Sequence, residues 1–410
     1  MSRIVLGVSG GIAAYKACLL LRSFSEAGHD VTVVPTPNAL AFIGEATWAA
    51  LSGKPVHTGV FEAAHEVPHV RLGRQADLVV VAPATADLLA RAAAGRADDL
   101  LSNVLLTATC PILMVPAMHT EMWLNPATQA NVATLRSRGV AVMNPASGRL
   151  TGADSGPGRL PEPADIEQVA LTLLADPRLA VAMASQDLAG RHVLVSAGGT
   201  REALDPVRFV GNASSGRMGL ALARAAAARG ARVTVVAANL ALPIPAGVDA
   251  VPVVSTAELA EAMLDHAAAA DIVVMAAAPA DFTPASPSEV KLKKSGDQGL
   301  RVDLVQTTDV LKALAGERPD GQVIVGFAAE TASDPDELLR LGREKLARQG
   351  CQLLVLNDVS GGRIFGSSST EVTIISGAGV VARLADNKSS VAHAILDAAV
   401  AVPTSARFSL

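Results

Sequence analysis

The sequence predicts an α/β protein of two doubly wound, Rossmann-like parallel-sheet domains, and three observations carry that prediction. Short apolar, β-branched runs alternate with helical stretches along the whole chain, the rhythm of strands joined by crossover helices. Half of the residues are hydrophobic but only 3% are aromatic, a balance that suits buried parallel strands under small-residue helices. The length of 410 residues exceeds one ordinary core, so two domains of roughly 200 residues are expected.

In the first half, strands are expected at 4–8, 31–35, 78–82, 112–116 and 140–144. Between the first two, 13–27 repeats apolar residues at helical spacing and stops at Gly28, a residue suited to a left-handed C-terminal cap. A shorter helix over 165–175 ends at Asp176-Pro177, and the break falls within 176–190, giving domains of 1–186 and 187–410. In the second half, strands are expected at 193–196, 232–237, 250–254, 272–276, 323–327 and 353–357, with a helical run at 220–228. The Gly/Ser stretch of 360–369 is expected to form a mobile loop. Ligands of such folds sit at the carboxyl ends of the strands.

The segment 196–219 is the richest of these ends. It opens after a strand with Ser196-Ala197-Gly198-Gly199-Thr200 and reaches a helix start through Asn212-Ala213-Ser214-Ser215-Gly216. Free backbone N–H groups and a helix dipole there favour a phosphate or carboxylate. Neither the GxGxxG nor the P-loop spacing occurs in it. The first strand likewise opens into Ser9-Gly10-Gly11-Ile12 before a helix, a second phosphate cradle. Thr36, Thr85 and, at a helix start after Asp98-Asp99, Ser102 add small polar groups around a flat pocket. A dinucleotide would want an acidic residue about twenty positions past the glycines. Val34-Pro35-Thr36 stands there instead, which favours a mononucleotide, FMN before NAD.

His69 precedes the third strand, and His119 follows the fourth in Pro116-Ala117-Met118-His119-Thr120-Glu121-Met122-Trp123. That segment reads either as a ligand-facing turn or as a capped helix start with a packed Met/Trp pair. Residues 151–159 read as a glycine-rich flap or a plain surface loop, and Lys291-Leu292-Lys293-Lys294 as a solvated charge cluster. The net charge of -5 gives no general attraction for nucleic acid or acidic lipid. No uncharged run reaches the ~18 residues of a membrane span, and 3–8 reads as a first strand, not a leader. Cys18, Cys110 and Cys351 are too far apart for a CxxC site. A protein of a reducing, cytoplasmic compartment is expected.

The first half resembles the flavin-dependent cysteine decarboxylases, through the SGGIAAYK turn, the His before ADLVVVAPATA, a PxMN-type motif and the glycine flap. The second half, with NASSGRMG, APADF, KLKK and GFAAET, is similar to phosphopantothenate–cysteine ligases. In this order, over essentially the whole chain, the two resemble the bifunctional decarboxylase–ligase family of coenzyme A biosynthesis. The resemblance implies a flavodoxin-like FMN domain followed by a ligase domain. In the latter, CTP converts 4'-phosphopantothenate to an acyl-cytidylate, L-cysteine attacks, and Mg²⁺ neutralises the departing pyrophosphate. The product is then decarboxylated to 4'-phosphopantetheine. Trimeric flavin domains, dimeric ligase domains and a closed assembly such as a dodecamer are also implied.

The same resemblance distributes roles. Ser9, Gly10, Gly11, Ile12, Thr36, Thr85 and Ser102 line the FMN site, and His69 is the catalytic base or substrate-orienting group. His119 stands where the family has an Asn that helps hold the substrate carboxylate. Gly152 stands where many relatives have a cysteine that donates the proton of the final reduction, so Asp154 or a flap-held water takes that part. Asn212 meets the acyl group, Ala277, Ala278 and Asp281 recognise the nucleotide, and Thr308, Asp309, Val310, Leu311 and Phe327 surround it. Lys345 meets the triphosphate, Gln349 replaces a second family lysine, and Lys291 serves the cysteine step and its oxyanion. Metal ligands are not identified. Two other readings stand beside this one, a two-domain nicotinamide-dependent dehydrogenase and a regulatory flavoprotein subunit.

Overall fold

The computed structural model describes residues 1–57, 59, 68–150, 154–293, 299–332, 334–358 and 369–403. The chain separates into two compact units, Met1–Asp187 with Ala228–Gly230, and Leu188–Ala227 with Ala231–Leu410.

The first unit runs β1 (Arg3–Val8), α1 (Ala14–Glu26), β2 (Asp30–Pro35), α2 (Pro37–Leu40), α3 (Glu45–Ser52), α4 (Pro68–Gln75), β3 (Leu78–Ala84), α5 (Ala86–Ala93) and α6 (Leu100–Thr107). It continues with β4 (Ile112–Pro116), α7 (Thr120–Leu124), α8 (Pro126–Ser137), β5 (Ala141–Val142), β6 (Ala146–Arg149), β7 (Ser155–Arg159), α9 (Pro163–Ala175) and α10 (Leu179–Ser185). Among the described residues, β1 to β5 form a parallel sheet in the order β2-β1-β3-β4-β5. Alternate side chains of a strand face opposite sides. Thus Ile4, Leu6 and Val8 pack with Leu20 and Phe24 of α1 and Leu173 of α9. Val5, Val79 and Val81 pack with Leu88 of α5, Leu101 of α6 and Leu135 of α8. Each such burial stabilises by about 1.5–3 kcal/mol. The strands switch direction of winding between β1 and β3, and in such sheets ligands bind at the carboxyl edge of that switch point.

The second unit runs β8 (His192–Gly198), β9 (Arg201–Ala203), β10 (Phe209–Gly211), α11 (Arg217–Ala228), β11 (Arg232–Ala238), β12 (Asp249–Val253), α12 (Thr256–Ala267), β13 (Ile272–Met275) and β14 (Phe282–Pro284). It ends with β15 (Leu304–Gln306), α13 (Val310–Gly316), β16 (Val323–Glu330), α14 (Pro335–Gln349), β17 (Leu353–Asp358), β18 (Ser369–Ser376), β19 (Gly379–Asn387) and α15 (Lys388–Ala401). Its main sheet has the order β12-β11-β8-β13-β16-β17-β18-β19. One face packs against α11 and α15 through Leu222, Ala226, Val391 and Ile395. The other packs against α12, α13 and α14 through Met263, Leu314 and Leu346.

The sheet departs from the wholly parallel expectation at β18 and β19, which are antiparallel. The hairpin buries Val372 and Ile374 but exposes Val380 and Val381. Its half-polar alternation is that of an edge hairpin with one covered face, unlike the continuous apolar runs of the parallel strands. The Gly/Ser loop expected at 360–369 lies outside the described residues, apart from Ser369 at the start of β18. Among the described residues, no helix is long and apolar enough to cross a membrane.

Candidate functional site

In the first unit, Ser9 ties the carboxyl ends of β1 and β3 together. Its Oγ donates to the Pro83 carbonyl at 2.7 Å and accepts from the Thr85 N–H at 2.9 Å. Thr85 caps α5 by accepting from the Leu88 N–H, and Thr36 caps α2 from the end of β2. Gly10 and Gly11 complete the turn before α1, while the Ile12 side chain is exposed. Ser102 is buried and its hydroxyl is engaged in a reciprocal cap with Asp99, which accepts the Ser102 N–H at 2.8 Å. Arg91 braces that cap through Asp99 Oδ2 at 2.8 Å and Asp98 Oδ1 at 2.7 Å. Burial works against the guanidinium charge, but these two bonds outweigh it and raise its pKa.

His69 falls in the first turn of α4, with its carbonyl accepting from Thr107 Oγ1 at 2.9 Å. Thr107 closes α6 and Ser102 sits near its start, about 7.5 Å apart along the axis. The hydrogen bonds therefore join Ser9 and Thr85, cap Ser102 separately, and hold His69 at the other end of α6. His69 Nδ1 is buried without a partner among the described residues.

His119 precedes α7 and meets the flap. Its Nδ1 lies 3.2 Å from Asp154 Oδ2. The β6–β7 hairpin lies flat on the His119 segment, with the Met118 N–H donating to the Gly158 carbonyl at 2.9 Å. Gly158 has φ 148°, and a Cβ there would stand 2.2 Å from the Met118 oxygen, so the approach requires glycine. The hairpin base is held by buried Lys16, whose ammonium donates to Glu162 at 2.9 Å. Of the two methionines of this segment, Met118 packs against the core cluster that contains buried Trp123, while Met122 is exposed. Gly152 lies outside the described residues.

In the second unit the two small-residue clusters part company. Ser196, Gly198 and Thr200 hold the loop after β13. The Ala277 N–H donates to Ser196 Oγ at 3.0 Å, the Ala278 N–H to the Gly198 carbonyl at 2.8 Å, and the Ala280 N–H to Thr200 Oγ1 at 2.8 Å. Gly198 has φ 95°, and a Cβ would fall 2.0 Å from the Ala238 oxygen. This first cluster is scaffold. The second, Asn212 to Gly216, lines a cavity of about 600 Å³.

That cavity gathers most of the residues singled out in the sequence. Asn212, Ala277, Ala278 and Asp281 line it, as do Thr308, Asp309, Val310, Leu311, Phe327 and Lys345. Asn212 Nδ2 donates to the Pro279 carbonyl at 2.8 Å. Asp309 caps α13 and accepts from Gln349 Nε2 at 2.9 Å, and Lys345 pairs with Glu330 at 3.2 Å. Lys291 is not among the lining residues. It is exposed beside Leu292, whose N–H donates to buried Asp205 Oδ2 at 3.1 Å and whose carbonyl accepts from Arg208 at 2.9 Å. Burial of Asp205 opposes its charge, yet the N–H groups of Val207, Arg208 and Leu292 and the Arg208 guanidinium hold it below the usual carboxylate range. Lys294 lies outside the described residues.

Sequence reasoning passed over Arg217, Arg348, Asn357 and Lys388, which also line the cavity. Arg217 was in view within NASSGRMG, and Asn387-Lys388-Ser389-Ser390 carries a helix-cap signal. Asn387 does cap α15, accepting from Ser389 and Ser390.

Two doubly wound units, one with a serine-braced turn at its switch point and one with a cation-lined cavity, define a two-domain α/β enzyme for anionic small molecules. The family profile described as Flavoprotein matches residues 1–174, and that described as DNA/pantothenate metabolism flavoprotein C-terminal domain matches 188–402. The chain is 55% identical over 406 residues to the coenzyme A biosynthesis bifunctional protein of Mycolicibacterium smegmatis, covering 97% of each. It is 41% identical over 375 residues to that of Bacillus subtilis, covering 90% of this chain and 89% of the relative. The chain belongs to the family of bifunctional coenzyme A biosynthesis proteins, and it is an enzyme with both phosphopantothenate–cysteine ligase and phosphopantothenoylcysteine decarboxylase activities. It is also similar to the crystal structure of a C-terminal domain from such a protein, at 34% identity and a TM-score of 0.44, covering 53% of this chain and 97% of that one.

Proposed function

We propose that residues 187–410 join 4'-phosphopantothenate to L-cysteine with CTP, and that residues 1–186 decarboxylate the product with FMN. The observation that carries the ligase half is the cavity at the carboxyl edge of the sheet, which Asn212 and Asp281 line together with Arg217, Lys345, Arg348 and Lys388. A carboxylate oxygen of the acyl substrate attacks the α-phosphorus of CTP, and pyrophosphate leaves. The cysteine amine then attacks the acyl carbon, and CMP departs with the bonding pair. Lys345 and Arg348 fit the triphosphate, with Gln349 and Asp309 bracing that wall. Mg²⁺ held on the phosphate oxygens would neutralise the leaving charge. Asn212 fits the acyl group, and Lys291, on the loop anchored by Asp205, fits the oxyanion of the cysteine step.

In the first unit, the turn Ser9–Ile12 and the cap residues Thr36 and Thr85 lie at the carboxyl ends of β1, β2 and β3, about the switch point where such sheets bind ligands, and they fit the phosphate and ring of FMN. FMN, when bound, supplies reversible two-electron oxidation of the substrate thiol. Arg91, Asp99 and Ser102 stiffen the start of α6 beside it. His69 is the base or orienting group, and its enclosed Nδ1 awaits a partner. Exposed Ile12 in the turn before α1, with exposed Tyr15 and Leu19 on α1, supports association of flavin units, within the trimer–dimer assembly implied by the family resemblance. The test is pyrophosphate release by the purified chain that requires CTP, phosphopantothenate and cysteine together. Flavin absorbance of the same preparation tests the FMN assignment. A colourless chain that turns over NAD would overturn the reading.

A further inference from the structure

Helix α4, which carries His69, has a thin seat on the rest of the first unit. From 69 to 75, Gly73 is the buried residue, Leu72 packs partly against the core, and Arg71, Arg74 and Gln75 are exposed. Helix α6, on which α4 lies, is fixed in that core by fully buried Leu100, Leu101 and Val104. Gly73 and Thr107 make the close contact between the two helices. A Cβ at Gly73 would stand 2.3 Å from Thr107 Oγ1 and 2.8 Å from the Thr107 carbonyl carbon, so the backbones themselves meet there. Glycine inside a helix lowers its stability, and this approach accounts for one at position 73. His69 lies one turn earlier on the same face, and its carbonyl accepts from Thr107 Oγ1 at 2.9 Å. The hydroxyl has one proton to give. The Asn103 and Val104 carbonyls are farther, at 3.0 and 3.2 Å, and Val104 already accepts from the Ala108 N–H at 2.9 Å.

We infer that Thr107, seated on Gly73, is a positioning residue of the decarboxylase, setting where α4 delivers the His69 imidazole. The inference rests on the reading of His69 as base or orienting group, and adds the residue through which the fold aims it. Two physical arguments support it. First, α4 buries little apolar surface between 69 and 75, so hydrophobic packing gives weak resistance to sliding or turning of this helix. The steric stop at Gly73 and the hydrogen bond at His69 fix its height and rotation against α6 at two points one turn apart. Second, a functional imidazole is commonly oriented by a hydrogen bond to one ring nitrogen. His119 has such a neighbour in Asp154. His69 Nδ1 is buried without a partner among the described residues, so its ring takes its aim from its own backbone, and the hydroxyl of Thr107 holds that backbone.

The test uses the full chain and compares wild type with Thr107→Val, Thr107→Ser, Gly73→Ala and His69→Gln. Decarboxylation of phosphopantothenoylcysteine gives kcat and KM, and absorbance gives FMN content. Diethyl pyrocarbonate followed by mass spectrometry gives the carbethoxylation rate of each histidine peptide. Thr107→Val keeps the shape of the side chain and removes the donor. It is expected to lower kcat about tenfold to a hundredfold, the scale of a small misplacement of a reacting group, with KM and FMN content near wild type. His69 should be labelled several times faster, while His192 and His393, 6% and 4% exposed, stay as protected as in wild type. Thr107→Ser should restore both readings. Gly73→Ala, which pushes α4 off α6 by another route, should reproduce those of the valine variant, and it carries the test if Thr107→Val does not fold. Wild-type kcat and wild-type His69 labelling in the folded variants would overturn the inference, as would a loss that serine does not restore. Faster labelling of His192 and His393 alongside His69 would also overturn it, because Thr107 would then support the fold as a whole. Unimpaired decarboxylation by His69→Gln would overturn the reading of His69 itself, so the two failures are told apart.

Discussion

His119 Nδ1 lies 3.2 Å from Asp154 Oδ2, although 35 residues separate them in the chain. The contact joins the turn after β4 to the glycine hairpin, two segments that the sequence had offered separately. A ring whose Nδ1–H points at a carboxylate has its tautomer fixed, leaving Nε2 to accept or deliver a proton. With glycine at position 152 in place of a thiol, the proposed role of proton donor falls on this pair among the described residues of the flap. Asp154→Asn is expected to slow the reductive half of decarboxylation about a hundredfold, within the range of general acid–base catalysis. Flavin absorbance should be retained. Both side chains are about half exposed, so the pair adds little to stability. Single-turnover mixing checks this, since reduced flavin and an unsaturated product should accumulate in the variant. Unaltered reoxidation would assign the proton to another group.

Gly158→Ala tests whether the hairpin must lie on His119. The added methyl group meets the Met118 carbonyl at 2.2 Å and the backbone has φ 148°. Strain of this kind costs on the order of 1–3 kcal/mol, which the hairpin relieves by lifting. Decarboxylation should fall while ligation and FMN content stay at wild-type levels. Equal activity in both variants of the flap, Gly158→Ala and Asp154→Asn, would mean that the hairpin is not part of the site.

Burial raises the thiol pKa of Cys351, foremost among the causes, to about 11, and that of Cys18 and Cys110 to a lesser degree. The thiolate is the reactive form, so a raised pKa slows alkylation, and access limits it further at 7% exposure for Cys351. Native protein at pH 8 is expected to leave Cys351 unmodified by iodoacetamide, and denatured protein to label it fully. Mass spectrometry of the Cys351 peptide reads the difference. Fast native labelling would place Cys351 outside the core between β16 and α14.

How far the sequence carried this picture depended on the range of the forces involved. The strand rhythm and the end of α1 at Gly28 were legible because each is a local pattern. Residues 277 and 281 lie in the loop after β13, a strand end of the parallel sheet, whereas 308–311 reach the same cavity because β15 pairs with β14 and Thr307 bonds the Ala280 and Asp281 carbonyls. Ser196–Thr200 read as an anion cradle, yet its hydroxyls and carbonyls hold the Ala277–Ala280 loop. Composition cannot tell a glycine turn that binds a ligand from one that binds another loop. Lys388 was passed over because its relevance depends on the β18–β19 hairpin, a half-polar edge pattern that delivers α15 to the cavity. The His119–Asp154 contact depends on a hairpin whose register no periodicity encodes.

Leu292 is held by Asp205 and Arg208 through bonds of 3.1 and 2.9 Å, so neighbouring Lys291 is presented by a tethered segment. Asp205 titrates below the usual carboxylate range. Its contribution is therefore present above the unfolded value near pH 4 and is lost as pH falls through the lower folded value. At neutral pH the tether is intact, and Asp205→Ala should release it, making the bond after Lys291 a faster tryptic site than in wild type. Lys291→Gln removes the charge without freeing the loop. That variant should form the acyl-cytidylate and release pyrophosphate at near wild-type rate, while the cysteine step falls about a hundredfold, the usual cost of one lost oxyanion contact. Pulsed assays with and without cysteine separate the two steps. Loss of pyrophosphate release in Lys291→Gln would instead make Lys291 a nucleotide contact, and unchanged proteolysis in Asp205→Ala would mean that Asp205 does not tether the loop.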